Sequence, residues 1–462
     1  MGSSTAGRLP EEAIIAIEIE LKLAIAARNL PALARALEAR GKPGEKSRAR
    51  LVSTYFDTSD RALVRQGLVL RVRERDGHFV QTVKSGDRAG AALPDRGEWE
   101  DAIAGPQPES SAPESGPLID KEIFARLAPL FRTEITRRAI MVSVAPDACI
   151  EAAIDRGRVV VAGSDREQPV SEIELELKNG PRIAVYDLAL DLLAVAPLRL
   201  ELRSKAERGY RLAAPDLMPA TADHGRDITL DPSLSGDEAL HRIGMACIQQ
   251  ILRNEAPLLA GNAEGVHQMR VAMRRLRAIL SAFGKLLPDE QWRPVSEELH
   301  WLADALGAAR NLDVFKASLS APMENATGDS DGIGALGAAA ERRRQTAYAN
   351  AASAVRSTRY TRLILLMSKW FEGREWREAG ASPALSQPIG ELAEAILDRR
   401  RHVVKRRSKG FGRQTDQQRH RLRISLKKLR YTAEMLAGLF APDVVKKFTK
   451  RLKHLQDDLG DA

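Results

Sequence analysis

The stretch IEIELKL, residues 17–23, sets Glu18, Glu20 and Lys22 at alternate positions between Ile17, Ile19, Leu21 and Leu23. In an extended strand alternate side chains share a face, so two carboxylates and an ammonium stand side by side opposite an aliphatic face. A single strand of this kind is what any half-exposed sheet shows. Its near copy SEIELELK, residues 171–178, repeats the pattern with Glu172, Glu174, Glu176 and Lys178. Arg71 and Arg73 share a face in LVLRVRER (68–75), as do Glu98 and Glu100 in GEWEDAI (97–103). Carboxylates at i and i+2 repel unless a cation lies between them, and oxygen-only ligation suits Mg²⁺ or Mn²⁺. Interleaved Arg and Lys would hold an anion sharing that metal, and a closed barrel with its polar faces inward would bring both sets together.

Around these strands the alternating period dominates as far as about residue 212, with FVQTVKS (79–85), AIMVSVA (139–145), ACIEAAID (148–155) and RVVVAG (158–163) as further examples. Helical pieces are expected near 30–40, 120–131 and 182–194, and GPQPESSAPESGP (105–117) reads as a loop. Residues 213–236 are Pro-rich and non-periodic, a linker. From about 237 the period is helical.

The helical half contains a duplication. His267, Arg270, Arg274, Arg275 and Arg277 of VHQMRVAMRRLR match His420, Arg423, Lys427, Lys428 and Arg430 of QRHRLRISLKKLR at a constant offset of 153. The same offset carries Leu302, Leu306 and Gly307 onto Leu455, Leu459 and Gly460, and Arg253 onto Arg406. Two homologous bundles are expected, the first over about 237–388 and the second from 389, which stops partway and reads as truncated. On each helix Met269, Met273, Leu276, Leu280 and Phe283, or Leu422, Leu426, Leu429, Ala433 and Leu436, form a seam that is core. Beside it His267, Arg270, Arg274 and Arg277 stack at helical spacing with few acids to offset their repulsion. A bound polyanion would relieve that repulsion, and arginine suits phosphate through its two-pronged donor fork. His267 and His420 taken singly read equally well as buried or capping residues.

Bulk properties narrow the classes. The 462 residues are 44% hydrophobic and 29% charged, which is a soluble globular composition with room for two or three domains. Apolar runs are too short for a membrane span, and MGSSTAGRLPEEA lacks the basic and apolar regions of a secretory signal. Cys149 and Cys247 alone build neither a disulfide framework nor a thiolate metal site, so a reducing cytoplasm is expected. Residues 235–462 carry 38 Lys and Arg against 26 Asp and Glu, while residues 1–234 carry 33 against 36. The second half therefore favours anionic partners. No Walker-type phosphate loop is present.

Two resemblances follow from these residues. The paired H-x-x-R-x-x-x-[RK]-[RK]-L-R helices, with ALGAARNLDV (305–314) and LQDDLGDA (455–462), resemble the CHAD domain, over about 237–462. That resemblance implies paired four-helix bundles and polyphosphate binding, with His267, Arg270, Arg274, Arg275, Arg277, His420, Arg423, Lys427, Lys428 and Arg430 as its residues. IEIELKL matches the ExExK signature of the CYTH domain. STYFDT (53–58), GLVLRVRE (67–74), QTVK (81–84), RGEWE (96–100), Arg137–Arg138, AAIDRG (152–157), SEIELELK and SKAERGY (204–210) follow in that family's order, over 14–212.

The CYTH resemblance implies an N-terminal antiparallel β-barrel, a triphosphate tunnel with flanking helices, in a multidomain α+β and all-α chain. It implies Glu18, Glu20, Glu174 and Glu176 as ligands of a divalent metal, Mg²⁺ or Mn²⁺. Lys22, Arg71, Arg73, Lys84, Arg96, Arg137 and Lys205 would grip the phosphate chain. Glu98, Glu100, Asp155 and Lys205 would serve the catalytic step, the carboxylates placing water or metal. The expected function is hydrolysis of inorganic triphosphate to pyrophosphate and phosphate, with polyphosphate bound by the helical half. The alternatives are a non-catalytic polyphosphate-granule scaffold, or a CYTH enzyme acting on thiamine triphosphate or ATP. A cytoplasmic chain, possible granule association, no membrane partner and no specific nucleic-acid site complete the expectation.

Overall fold

The computed structural model describes residues 19–85, 98–110, 119–144, 147–215, 220–225, 228–325 and 330–459. Glu18 and Arg96, and the side chain of Glu98, lie outside the described residues. The chain forms two compact units. Of the described residues, the first takes in those from 19 to 181 and from 195 to 215, and the second those from 182 to 194 and from 220 to 459.

The first unit is one antiparallel sheet. Its strands are β1 (Glu20–Ile25), β2 (Gly41–Asp57), β3 (Leu68–Arg75), β4 (His78–Ser85), β5 (Glu98–Ile103), β6 (Ala128–Val144), β7 (Ala148–Val161), β8 (Glu167–Asn179) and β9 (Leu198–Leu200). They lie in the order β5-β4-β3-β2-β6-β7-β8-β1-β9. The alternating segments of the sequence thus become strands, and in β1 Leu21, Leu23 and Ile25 are buried between half-buried neighbours. The expected closed barrel is corrected: among the described residues no ladder joins β5 to β9. The edge strand β9 is three residues long and is paired along β1 only, so it offers little to close against.

Helices α1 (Leu30–Glu38), α2 (Ala62–Arg65), α3 (Lys121–Ala125) and α5 (Lys205–Ala213) belong with this sheet. The expected helix over 120–131 is short, because its C-terminal part, from Ala128, opens β6. Two devices seat α5. The Ser204 hydroxyl caps it by accepting from the Glu207 N–H at 3.0 Å, and the Tyr210 hydroxyl donates to buried Asp57 at 3.0 Å. Asp57 in turn accepts from the N–H groups of Leu63 and Val64, at 3.0 and 3.3 Å, and so anchors α2. Between them Gly209 lies against Phe131, which stacks on Tyr55 at 4.6 Å and meets Tyr210 edge-on at 5.3 Å. A Cβ at 209 would fall 2.0 Å from the Phe131 ring. Gly209→Ala is therefore expected to lower the stability of this unit by about 1–3 kcal/mol, the usual cost of overpacking. An unchanged thermal transition would remove this close approach from the account.

The second unit is helical and includes all but the last residue of α4 (Ile183–Val195), the segment between β8 and β9. Asp187 on α4 pairs with Lys369 at 2.7 Å, and Arg182 with Glu372 at 3.7 Å. The rest comprises α6 (Gly236–Arg253), α7 (Glu255–Leu259), α8 (Ala263–Phe283), α9 (Asp289–Asn325), α10 (Ser330–Val355), α11 (Thr358–Gly373), α12 (Ile389–Arg407), α13 (Asp416–Met435) and α14 (Pro442–Asp458).

Helices α12, α13 and α14 begin 153 residues after α6, α8 and α9, the offset read in the sequence. The caps repeat as well: Asn262 accepts from the Glu264 N–H, and Thr415 forms a capping box with Gln418. So do tertiary bonds, since Arg270 donates to the Ala303 carbonyl and Arg423 to that of Gln456. Both expected seams are buried throughout. No helix among the described residues is long and apolar enough to cross a membrane.

Candidate active site

Strand register assembles one charged face from residues remote in sequence. Glu20 lies opposite Glu176, Lys22 opposite Glu174, and Ala24 opposite Glu172. Across the next ladder Glu176 faces Glu151, Glu174 faces Ala153, and Glu172 faces Asp155. Asp155 then faces Arg137, which faces Ala49. Further along the sheet Ser53 faces Arg73, Tyr55 faces Arg71, Arg71 faces Thr82, Thr82 faces Glu100, and Lys84 faces Glu98. Directly registered residues share a face, so carboxylates at one end and arginines at the other line the same surface.

Three carboxylates form the acidic centre. One oxygen each of Asp155, Glu172 and Glu174 lies within 4.8 Å of the others, and the three residues are 0%, 0% and 6% exposed. Buried charges persist only when paired, and here the partners are cations from three elements. The Lys205 ammonium sits 2.7 Å from Asp155, 2.5 Å from Glu172 and 2.7 Å from Glu174. Arg137 grips Asp155 with a two-pronged bond, at 2.8 and 2.7 Å, and also contacts Glu174. Arg208 pairs with Glu172, while Lys22 pairs with Glu20 and reaches Glu174 at 3.6 Å.

The electrostatics follow from this geometry. Burial pushes the Glu174 carboxyl up, but Lys205, Lys22 and Arg137 outweigh it and hold the group well below the usual carboxylate range. Burial lowers Lys205, yet Glu174, Glu172 and Asp155 leave it raised. The donor set fits a divalent metal: three oxygen-bearing carboxylates within reach of one point, with no sulfur or nitrogen ligand among them.

The basic end is built differently. Arg71 approaches Glu100 at 3.3 Å, and the Thr82 hydroxyl donates to the same carboxylate at 2.9 Å. Arg73 donates to the Ser53 hydroxyl at 3.2 Å. Burial and the neighbouring Arg71 depress Arg73 to about 10. An anion here would offset both effects by favouring the charged guanidinium.

The structure thus brings together Glu20, Lys22, Glu174, Asp155, Arg137 and Lys205, and aligns Arg71, Arg73, Lys84 and Glu100 on the same face. Glu176 stands apart from the triad, half-buried and paired with Lys178 at 2.5 Å. Arg137, expected on phosphate, is engaged with the carboxylates. Glu172 and Arg208 were absent from the expected site. Glu172 could have been found in SEIELELK, where it holds the same face two residues before Glu174.

In the helical unit, α8 and α13 present the expected basic residues. Arg274 on α8 and Arg430 on α13 each lie 4.8 Å from the Tyr431 ring. Burial and like charges depress Arg270 (Arg274 and Arg310), Lys427 (Arg423 and Arg274) and His267 (Arg310). His267 is half-buried and His420 exposed; Arg274 and Lys428 are also exposed. Arg275 reaches the Gln250 side chain at 3.3 Å, and Arg277 contacts His300. Two residues escaped the sequence reading. Arg400 and Arg407 on α12 adjoin Lys428, which burial, Arg400, Arg407 and Arg277 together depress. The 153-residue offset carries Arg400 onto buried Cys247, so the repeat itself concealed it.

Residues 16–210 match the CYTH domain and residues 242–462 the CHAD domain. An inorganic triphosphatase of Haemophilus influenzae is 30% identical over 217 residues, 47% of this chain and 60% of that protein. This chain therefore spans less than two thirds of that relative's length. A crystal structure of the CHAD domain from the plant Ricinus communis is 29% identical, with a TM-score of 0.44, covering 52% of this chain and 79% of that one. A Mimivirus capping enzyme triphosphatase is 13% identical, with a TM-score of 0.26, covering 39% of this chain and 89% of that one. The chain carries a CYTH domain followed by a CHAD domain, and the charged face of the sheet lies in the first of them.

Proposed function

We propose that the chain hydrolyses inorganic triphosphate to pyrophosphate and orthophosphate, with Mg²⁺ or Mn²⁺ held by Asp155, Glu172 and Glu174. The observation that carries this reading is the single sheet face running from that carboxylate triad to Arg71, Arg73 and Lys84. The name of the Haemophilus influenzae relative points the same way. When bound, the ion would supply charge neutralisation at phosphate oxygens and a more acidic water.

This chain's own residues would do the positioning, which is most of what phosphoryl transfer requires. Arg71, Arg73, Lys84 and Lys22 hold the anionic chain, and their fixed charges favour the more dispersed charge of the transition state. Water attacks the terminal phosphorus, the bridging P–O bond breaks, and pyrophosphate leaves. Glu100, oriented by Thr82 and Arg71, is the carboxylate that takes the water's proton, and Glu98, registered opposite Lys84 on the backbone, is a second candidate. The helical unit binds polyphosphate through α8 and α13, and a cytoplasmic site with granule association fits that role.

The test is orthophosphate release by the full chain from tripolyphosphate, ATP, thiamine triphosphate and long-chain polyphosphate, each with Mg²⁺, Mn²⁺ or chelator. Tripolyphosphate is expected to turn over fastest, and chelator to stop it. Preference for ATP or thiamine triphosphate would overturn the substrate. Tight binding without any turnover would leave only a receptor.

A further inference from the structure

We propose that Lys205 is the resident cation of the carboxylate triad, and that it exchanges with the divalent ion by swinging its ammonium out of the site. The inference rests on the metal reading above and adds to it a competitor within the chain. Its Nζ lies 2.7, 2.5 and 2.7 Å from one oxygen each of Asp155, Glu172 and Glu174. These are the three residues whose oxygens converge within 4.8 Å. A divalent ion ligated by oxygens at ~2.0–2.6 Å would need the same point, and two cations cannot share it.

Charge counting agrees. Asp155, Glu172 and Glu174 are met by Lys205, Arg137 and Arg208, three against three. A divalent ion added without departure would leave an excess of two positive charges in a buried site. Departure of Lys205 halves that excess, and an incoming phosphate chain offsets the rest. This makes ion and substrate binding mutually supportive.

Of the three cations, Lys205 is the one built to leave. Arg137 is held by two bonds to Asp155, and Arg208 is 5% exposed against Glu172. Lys205 occupies the first turn of α5, whose backbone is fixed by the Ser204 cap and the Tyr210–Asp57 bond. Its flexible four-carbon stem lets the ammonium move while the helix stays. Released, it would carry its charge to the phosphate chain.

The test uses the full chain without substrate. Calorimetric titration with Mn²⁺ should show binding at least tenfold tighter in Lys205→Met than in wild type, and no tightening in Lys205→Arg, which keeps the charge. In the wild type, Lys205 should be protected from an amine-acylating reagent and should become labelled, by mass spectrometry, once Mn²⁺ saturates. Equal or weaker Mn²⁺ affinity in a folded Lys205→Met protein would overturn the exchange and leave the metal site standing. Equal tightening in Lys205→Arg would overturn it too, since space rather than charge would then be the cause. Should Lys205→Met fail to fold, labelling decides: no gain on Mn²⁺ saturation refutes the exchange. Absence of saturable Mn²⁺ binding in every protein would overturn both the exchange and the metal reading.

Discussion

Glu172→Gln and Glu174→Gln should each lower metal-dependent triphosphate turnover on the order of 10³-fold, the upper range for losing one preorganised electrostatic contact. Glu176→Gln should stay within about threefold, as expected of a residue whose partner is a surface lysine. The contrast is sharp because the three residues are alternate positions of one strand. Glu172 and Glu174 are buried against Lys205, whereas Glu176 is half-buried against Lys178. Each buried substitution also strands cations. At Glu174 the amide would leave Lys205 and Arg137 undercompensated, and breaking such a pair costs about 3–5 kcal/mol. Activity should therefore be measured below the variant's own melting temperature.

The pH dependence has a definite sign. Glu174 titrates well below its ordinary value, so the stability it lends is present above the unfolded carboxylate range and lost as pH falls through the depressed value. Glu174→Gln should remove that part of the acid sensitivity. Full turnover in both buried variants would sink the triad, and a large loss in Glu176→Gln would instead favour the pair Glu174 and Glu176.

The distinction between these glutamates was beyond the sequence for a definable reason. Alternation in SEIELELK shows which side chains share a face, but not which of them end up beneath a partner. That depends on β7, where Asp155 comes opposite Glu172, and the ladder between these strands shifts register near Cys149 and Ile150. It also depends on α5, which delivers Lys205 and Arg208 from some 30 residues downstream. The strands themselves were legible, because half-buried β-strands must alternate. The duplication was legible too, since caps, seams and basic residues all recur at one offset. Closure of the sheet was not: it turns on the lengths of edge strands such as β9, whose three residues carry no periodic signal. The placement of α4 was equally hidden. Its apolar residues announce burial but not the surface that buries them.

The repeat supplies the second large prediction. Replacing Arg274, Lys427 and Lys428 together by Gln should weaken long-chain polyphosphate binding on the order of a thousandfold, while tripolyphosphate hydrolysis is unchanged. Three charge-assisted contacts at ~1.5 kcal/mol each give ~4.5 kcal/mol, and each 1.4 kcal/mol is about tenfold. Arg270 and Arg423 are left out of this variant deliberately. Both donate to main-chain carbonyls of the following helix of their repeat, so their loss would loosen α9 and α14 as well as remove charge. Arg274 and Lys428 are exposed and Lys427 is half-buried, so substitution at these sites tests charge with little disturbance of the core. Like-charge repulsion already burdens this surface: Lys427 is depressed by burial, Arg423, Arg274 and Arg430, and Lys428 by burial, Arg400, Arg407 and Arg277. The variant should therefore be at least as stable as the wild type without polyphosphate, and should gain less stability when polyphosphate is added. A salt series separates the readings. If the three side chains contact phosphate, the wild type should lose affinity with salt more steeply than the variant. Equal slopes and equal affinities would show that α8 and α13 present an inert basic surface. A loss confined to tripolyphosphate turnover would instead tie these residues to the chemistry of the sheet.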